Sequence, residues 1–120
     1  MSFIGQIPFE LCPMAKGNGT MEEIKTEKGY LHYRIWSDEN LEITDIFIEP
    51  DFRRQGEGRK MVQEVEKIAR EKELACIYLF TRKSNKEAQE FYRALGFEKV
   101  CDIQGFYRSE NGIMFIKRYG

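Results

Sequence analysis

The sequence has little that would support disulfide, metal or membrane chemistry. Its 120 residues include one histidine, His32, and three cysteines, Cys12, Cys76 and Cys101. An odd number of cysteines without C-x-x-C spacing argues against a disulfide framework, and a reducing cytoplasm is the expected location. No metal site is predicted. No apolar stretch approaches the ~18 residues of a membrane span, and no basic segment followed by an apolar run opens the chain, so neither a span nor a signal peptide is predicted.

An excess of charge of one sign is also missing. The 19 Lys and Arg residues nearly balance the 20 Asp and Glu residues, for a net charge of −1. A general nucleic-acid-binding surface is therefore not expected, and any basic patch must be local. A chain of 120 residues with 42% hydrophobic content can form one core, so we predict a single domain over residues 1–120. Residues 1–20, with two prolines, are predicted to be an irregular arm containing a short strand at residues 3–7.

Hydrophobic periodicity predicts a hairpin, then strands alternating with helices. The hairpin is typical of residues 21–26 and 30–36 around Lys28-Gly29, and a central strand follows at residues 41–48. An amphipathic helix is predicted over residues 58–72, a buried parallel strand over 74–80 and a second helix that begins at a Ser84-x-x-Glu87 capping box and stops at Gly96. Two antiparallel strands at residues 97–103 and 113–118 complete the pattern.

The junction between the central strand and the first helix is the most informative segment. It reads Arg53-Arg54-Gln55-Gly56-Glu57-Gly58-Arg59-Lys60, which we call the glycine loop. A helix start offers about four unpaired N–H groups and the positive end of the helix dipole, and glycine lets an anion approach those amides. The loop therefore indicates a pyrophosphate site, although an ordinary basic turn has the same composition.

A second motif, farther along the chain, narrows the interpretation. The segment Asn85-x-x-Ala88-x-x-Phe91-Tyr92-x-x-x-Gly96-Phe97, together with Pro50 and the R-x-x-G-x-G of the loop, resembles the GNAT superfamily of acyl-CoA-dependent N-acetyltransferases. A nucleotide-triphosphate loop is not matched, since no Gly-Lys-Ser/Thr follows, and Met61 stands where a dinucleotide motif would have its third glycine. The resemblance implies an α+β fold (an α/β three-layer arrangement) with a mixed central sheet and helices on both faces.

The resemblance also implies where acetyl-CoA, the cosubstrate, would bind. In the family the pantetheine arm lies between the strand before the loop and the strand after the first helix, and pairs with backbone of the former. Asn85 would hold the pantetheine or the acetyl end, unless it only caps the helix. The implied cofactor-binding residues are Ile46, Phe47, Ile48, Arg53, Arg54, Gln55, Gly56, Glu57, Gly58, Arg59 and Asn85.

By the same resemblance, Tyr92 is the candidate general acid for the leaving thiolate. The alternative is that Tyr92 only packs in the apolar stripe of its helix. Glu42, which precedes the glycine loop by the spacing of a family glutamate, is the candidate general base, or else a solvated strand residue. His32 is interpreted as an exposed strand residue, and Asp45 and Glu49 have no stronger claim.

The C-terminal hairpin and the start of the chain bear on the acceptor. Residues 105–114 resemble the tyrosine-containing hairpin of Nα-acetyltransferases, which makes Tyr107 a candidate substrate-binding residue, but Phe80 occupies the position of a glutamate base in the ribosomal-protein branch. Family members usually place a strand and two helices before the first hairpin, where this chain has about twenty residues. The acceptor site is therefore expected to be open, or completed by a second subunit in a homodimer.

The resemblance implies an enzyme that transfers the acetyl group of acetyl-CoA directly to a primary amine in a ternary complex. The acceptor is unassigned, with a protein or peptide amine as one candidate, and no nucleic acid or membrane partner is expected. The alternatives are a non-catalytic acyl-CoA-binding or protein-interaction module and a loop that binds another anion.

Overall fold

The computed structural model describes residues 19–119, so the predicted strand at residues 3–7 lies outside the described part of the chain. The strands are β1 (Met21–Thr26), β2 (Gly29–Ile35), β3 (Asn40–Ile48), β4 (Cys76–Arg82), β5 (Glu98–Tyr107) and β6 (Glu110–Arg118). The helices are α1 (Glu57–Glu71) and α2 (Lys86–Ala94), and a 3-10 turn (Pro50–Phe52) precedes the glycine loop.

The strands form one mixed sheet in the order β1-β2-β3-β4-β6-β5. The β3–β4 pair is parallel, as predicted for a strand entered after a helical crossover, and the other neighbours are antiparallel. The mixed sheet with two helices confirms the predicted α+β, GNAT-like fold with its mixed central sheet.

Both described helices pack against the same face of this sheet. Lys117 of β6 shows the arrangement directly, because its Nζ lies 2.7 Å from the Glu66 carboxylate of α1 and donates to the Leu95 carbonyl at the end of α2, also at 2.7 Å. One side chain that reaches both helices places them on one side. The expectation of helices on both faces is therefore not met within residues 19–119, which form a sheet layer and a helix layer.

The core lies between these two layers. On the sheet side Leu31, Leu41, Ile77, Leu79 and Phe115 are 0–1% exposed, and α1 and α2 cover them with one apolar stripe each, as amphipathic helices do. The helix side contributes Met61, Val62, Val65, Ala69, Tyr92 and Leu95 to the same cluster. Neither of these helices is long and apolar enough to cross a membrane.

The β3 and β4 strands separate part-way along their length. Their register runs only from Asn40↔Cys76 to Glu42↔Tyr78, although β3 continues to Ile48 and β4 to Arg82. On the other side of β3 the register with β2 shifts by one residue, leaving Thr44 as a β-bulge. Beyond Glu42 the β4-facing edge of β3 therefore has no strand neighbour, and we call this opening the splay.

The sheet face opposite the helices carries the side chains that alternate with the core. Glu42 lies between buried Leu41 and Ile43, and Tyr78 lies between buried Ile77 and Leu79, so both point away from the core. We call this the outer face. No helix within residues 19–119 covers it.

Candidate active site

A cavity of about 630 Å³ lies between the end of β3, the glycine loop and α2. It opens along the splay and is walled by both helices. Its lining includes the predicted cofactor-binding residues 46–48, 53, 54, 56–59 and 85, together with Tyr92. The structure thus brings together two motifs that are nearly thirty residues apart in the sequence.

The start of α1 forms one end of this cavity. Gly56 is the N-cap, with φ of +85° in the left-handed region that favours glycine, and no side chain caps the helix. The first intrahelical bond runs from Lys60 N–H to Gly56 C=O at 3.0 Å. The amides of Glu57, Gly58 and Arg59 precede that bond, so they are available to an anion.

The charges around this helix start have separate tasks. Arg53 donates from Nε to the Ile48 carbonyl at 2.7 Å and lies over the Phe47 ring at 5.5 Å, which fixes the loop to the end of β3. Arg59 is exposed and forms no ion pair within residues 19–119, so its charge is available to a ligand.

Glu57 is the one acidic side chain inside the loop, and two lysines offset its charge. Lys28 and Lys60 each lie 3.4 Å from its carboxylate. Desolvation acts to raise the pKa of Glu57, but the two lysines outweigh it and hold that pKa below its ordinary value. The Glu57 carboxylate is therefore ionised, and the two lysines offset the repulsion that it would exert on an anion at the helix start.

Gly58 has a packing role that the sequence motif did not reveal. A Cβ on residue 58 would lie 3.1 Å from Cζ and 3.3 Å from Cε1 of Phe91, so the glycine admits the Phe91 ring against α1. Phe91 in turn packs edge-on against Tyr92, with ring centroids 5.0 Å apart. The absence of a side chain at residue 58 positions the helix that carries Tyr92.

Asn85 is the N-cap of α2, and its Oδ1 accepts from the Ala88 N–H at 3.0 Å. The predicted Ser84–Glu87 capping box was wrong, because the Ser84 amide and hydroxyl bond instead to the Glu110 carboxylate at 2.9 and 3.0 Å. Asn85 still lines the cavity, and its amide nitrogen has no hydrogen-bond partner in the described part of the chain. The cap role and a ligand role therefore use different atoms of one side chain.

Tyr92 is buried, with 4% of its surface exposed, and its ring packs edge-on against Phe91 and Phe97. Its hydroxyl forms no hydrogen bond to any of residues 19–119, although Tyr92 lines the cavity. Burial, and secondarily the charge of Asp45, raise the pKa of Tyr92 above its ordinary value. The hydroxyl is therefore a protonated donor for which residues 19–119 provide no acceptor.

Glu42 does not line the cavity; it lies on the outer face at the closed end of the splay. Its Oε1 accepts from the Trp36 indole Nε1 at 3.0 Å, and its partner on β4 is Tyr78. Burial, and secondarily the Glu42 charge, raise the pKa of Tyr78 to about 12. Glu42 and Tyr92 are thus on opposite faces of the sheet.

The remaining polar candidates lie outside the cavity. His32 stacks on Tyr30 at 4.6 Å and its Nε2 lies 2.8 Å from Glu23 Oε2, which agrees with its interpretation as a strand surface residue. Asp45 accepts from the Tyr30 hydroxyl at 3.3 Å. Gln55 donates from Nε2 to the Asp51 carbonyl at 3.1 Å and is not part of the lining.

Tyr107 also lies away from the cavity, at the turn between β5 and β6. The Arg82 guanidinium lies 4.3 Å above its ring, and burial raises the pKa of Tyr107 although Arg82 opposes that shift. The neighbouring Phe106 stacks on Phe80 at 4.8 Å on the outer face. A role for Tyr107 in holding an acceptor would therefore involve the outer face.

Comparisons with known proteins agree with this geometry. A family model described as the acetyltransferase (GNAT) family matches residues 21–97. The thialysine N-epsilon-acetyltransferase of Bos taurus is 31% identical over 78 residues, which cover 65% of this chain and 46% of the relative. The chain thus spans about half the length of that curated relative.

Solved structures show the same architecture. A GNAT family acetyltransferase from Elizabethkingia anophelis with acetyl-CoA bound superposes with a TM-score of 0.75 at 18% identity, covering 98% of this chain and 95% of the other. The PaiA N-acetyltransferase of Thermoplasma acidophilum, in complex with coenzyme A, gives a TM-score of 0.66 at 25% identity, covering 77% and 54%.

Proposed function

Because the chain belongs to the acetyltransferase (GNAT) family, we propose that it transfers the acetyl group of acetyl-CoA to a primary amine. The observation that carries the proposal is the cavity that joins an uncapped helix start, with its available amides, to the splay between β3 and β4. The helix start suits the pyrophosphate of acetyl-CoA, and the splay suits its long, thin pantetheine arm.

In this proposal the pyrophosphate binds the amides of Glu57, Gly58 and Arg59, with the Arg59 guanidinium beside it. The pantetheine arm lies along residues 46–48, where the β4-facing edge of β3 lacks a strand neighbour and its backbone can pair with the amides of the arm. The Asn85 amide nitrogen, which has no partner within residues 19–119, donates to the same arm. The thioester then lies near the closed end of the splay.

In the proposed reaction the amine and the leaving thiolate are served from opposite faces of the sheet. The acceptor amine approaches from the outer face, where Glu42 removes its proton directly or through a water, and the nitrogen forms a bond to the thioester carbon. A backbone N–H of β3 polarises the carbonyl oxygen. When the C–S bond breaks, the Tyr92 hydroxyl, on the helix side, donates to the leaving thiolate, whose ordinary pKa is about 8.5. With its own pKa raised, Tyr92 acts by a strong hydrogen bond and remains protonated.

One observation favours a second candidate function. Glu42 and Tyr107 lie outside the cavity that would hold the cofactor. A protein that binds acyl-CoA without transferring the acyl group needs the cavity alone and neither of these side chains.

Isothermal titration with acetyl-CoA, free CoA and pyrophosphate, followed by thiol-release assays with a panel of amines, tests the proposal. We expect micromolar binding of acetyl-CoA, weakened about tenfold by Arg59→Gln, which removes one charge-assisted contact. Arg118→Gln is the matched control, since Arg118 is exposed at the end of β6 and, among residues 19–119, forms an ion pair only with exposed Glu98. Equal affinity for pyrophosphate and acetyl-CoA would reduce the site to an anion site, and binding without thiol release would favour the binding module.

We include a homodimer in this proposal. The edge strand β5 carries two apolar side chains that are nearly half exposed, Val100 at 47% and Phe106 at 46%. A second copy at this edge would cover both. Light scattering at micromolar concentration should give the mass of two chains, and a monomer would refute the dimer.

A further inference from the structure

Three side chains on the outer face form a cluster at the closed end of the splay. Arg34 of β2 and Glu42 of β3 are cross-strand partners, and both contact Trp36. The Arg34 guanidinium lies 5.4 Å from the indole ring, and Glu42 Oε1 accepts from its Nε1 at 3.0 Å. Trp36 is itself 44% exposed. A cation and an anion thus lie beside one accessible aromatic ring.

Arg34 and Glu42 are not an ion pair. Arg34 forms no salt bridge with any of residues 19–119, and its Nε is buried without a hydrogen-bond partner there. A buried guanidinium N–H that lacks an acceptor is destabilising, and a carboxylate is the acceptor that fits the planar guanidinium best. Arg34 as a residue is only partly buried, so its uncompensated guanidinium charge, rather than the enclosed Nε, offers the position for a ligand carboxylate.

Glu42, the cross-strand neighbour of Arg34, offers the opposite charge. The indole occupies Oε1, and Oε2 has no hydrogen-bond partner in the described part of the chain. Glu42 is also the last residue of β3 in register with β4, so it adjoins the point where the thioester would end. An ammonium group at Glu42 would be next to the acetyl group that it is to receive.

We propose that the acceptor is a free α-amino acid, bound with its ammonium at Glu42 and its carboxylate at Arg34. This inference rests on the proposed function. An α-amino acid carries an ammonium and a carboxylate on one carbon. These two groups match Glu42 and Arg34, which are neighbours on adjacent strands. A polyamine or a peptide N-terminus brings the amine without the adjacent carboxylate and leaves Arg34 unsatisfied.

The transfer is balanced with these groups. The ammonium loses a proton to Glu42, the nitrogen forms a bond to the acetyl carbon, and the C–S bond breaks. The nitrogen loses its second proton as the amide forms, and the departing thiolate, which accepts a hydrogen bond from Tyr92, takes up one proton and leaves as free CoA. The product is an N-acetyl amino acid. Acetylation removes the positive charge at nitrogen, so the product loses its attraction to Glu42 while its carboxylate still contacts Arg34.

The test compares free amino acids with their amides, which lack the carboxylate but keep the amine. The probes are L-leucine, L-phenylalanine, L-glutamate and L-lysine with the matching α-amides, and spermidine and a tetrapeptide serve as other amines. Binding to the CoA-saturated protein is measured by saturation-transfer NMR, and transfer is measured by thiol release from acetyl-CoA. The variants are Arg34→Met, Arg34→Lys and the control Arg118→Met.

We expect at least one free amino acid to bind and to be acetylated with a KM about tenfold or more below that of its amide. Arg34→Met should raise that KM by a similar factor and leave the KM of the amide and the Kd of acetyl-CoA unchanged, which also shows that the variant is folded. Arg34→Lys should restore part of the affinity, because lysine keeps the charge without the planar geometry.

Each contrary outcome refutes either the acetyltransferase activity or the free amino acid as its acceptor. Equal KM values for acids and amides, an Arg34→Met variant without effect, or transfer only to spermidine or the tetrapeptide would overturn the amino-acid acceptor and leave the acetyltransferase standing. Arg34-dependent binding of a free amino acid without any thiol release would refute the acetyltransferase and support the ligand class. No binding of any free amino acid would overturn the inference.

Discussion

Replacing Tyr92 with phenylalanine separates catalysis from folding unusually well in this protein. The hydroxyl forms no hydrogen bond within residues 19–119, and the ring that packs against Phe91 and Phe97 is kept in the variant. The free energy of unfolding should therefore change little. In the transition state, by contrast, the variant loses one hydrogen bond to a developing thiolate, worth about 1.5–3 kcal/mol. At a factor of ten per 1.4 kcal/mol, kcat should fall about 10- to 150-fold.

The assay is thiol release at saturating acetyl-CoA and amine, with thermal unfolding and acetyl-CoA titration on the same preparations. Tyr119→Phe is the matched control, because the Tyr119 hydroxyl donates to Glu66 at 2.6 Å and lies outside the cavity. That variant should lose about 1–3 kcal/mol of stability and keep its kcat. A Tyr92→Phe enzyme with kcat within twofold of wild type would refute the role of the hydroxyl. A loss of stability in Tyr92→Phe as large as that in Tyr119→Phe would contradict the prediction that the Tyr92 hydroxyl contributes little to folding.

Three further outcomes can be checked in the same way. Glu42→Gln should lower kcat about 10²- to 10⁴-fold, the usual contribution of a general base, and leave the Kd of acetyl-CoA unchanged; a kcat within twofold of wild type would show that Glu42 is not the base. Asn85→Ser should keep the helix cap and still weaken acetyl-CoA binding, whereas Asn85→Ala should also cost about 1 kcal/mol of stability; equal acetyl-CoA affinity in Asn85→Ser and wild type would assign Asn85 to capping alone. For Glu66, burial opposes ionisation, but hydrogen bonds from Lys117 and Tyr119 outweigh it and lower the folded-state pKa below 4.5. The stability it adds is therefore present above pH 4.5 and lost as pH falls, so Glu66→Gln should be less stable at pH 7 and less sensitive to acid; a stability difference that does not shrink between pH 6 and 3 would contradict this linkage.

Local pattern was sufficient to predict the regular elements and the family. The first helix was predicted over residues 58–72 and spans Glu57–Glu71, and the parallel strand after it is β4. Helix periodicity and the two motifs depend on residues close together in the chain, which explains their reliability. The family model over residues 21–97 confirms the resemblance.

Contacts between distant segments could not be predicted in this way. Ser84 is drawn away from the helix cap by Glu110, 26 residues later, so Asn85 caps instead. Phe91 of α2 occupies the space left at Gly58, at the start of α1. Sequence spacing contains neither fact.

The placement of Glu42 and Tyr92 on opposite faces of the sheet could be predicted only in part. Alternation along β3 already directs Glu42 away from Leu41 and Ile43. What the sequence did not show is that both described helices cover the same face, which leaves Glu42 on the open side of the sheet and Tyr92 on the covered side. Only the assembled sheet defines these two sides.

This sheet therefore divides the proposed enzyme into halves that can change independently. The outer-face side chains of Arg34, on β2, and Trp36, just after the end of β2, are not part of the cavity lining. Substitutions at these positions can change which amine is accepted, while the cavity that would hold acetyl-CoA stays intact. A lineage, or a directed-evolution library confined to the positions around Arg34 and Trp36, can exchange one acceptor for another without rebuilding the use of acetyl-CoA, because residues 46–48 of β3 stay unchanged.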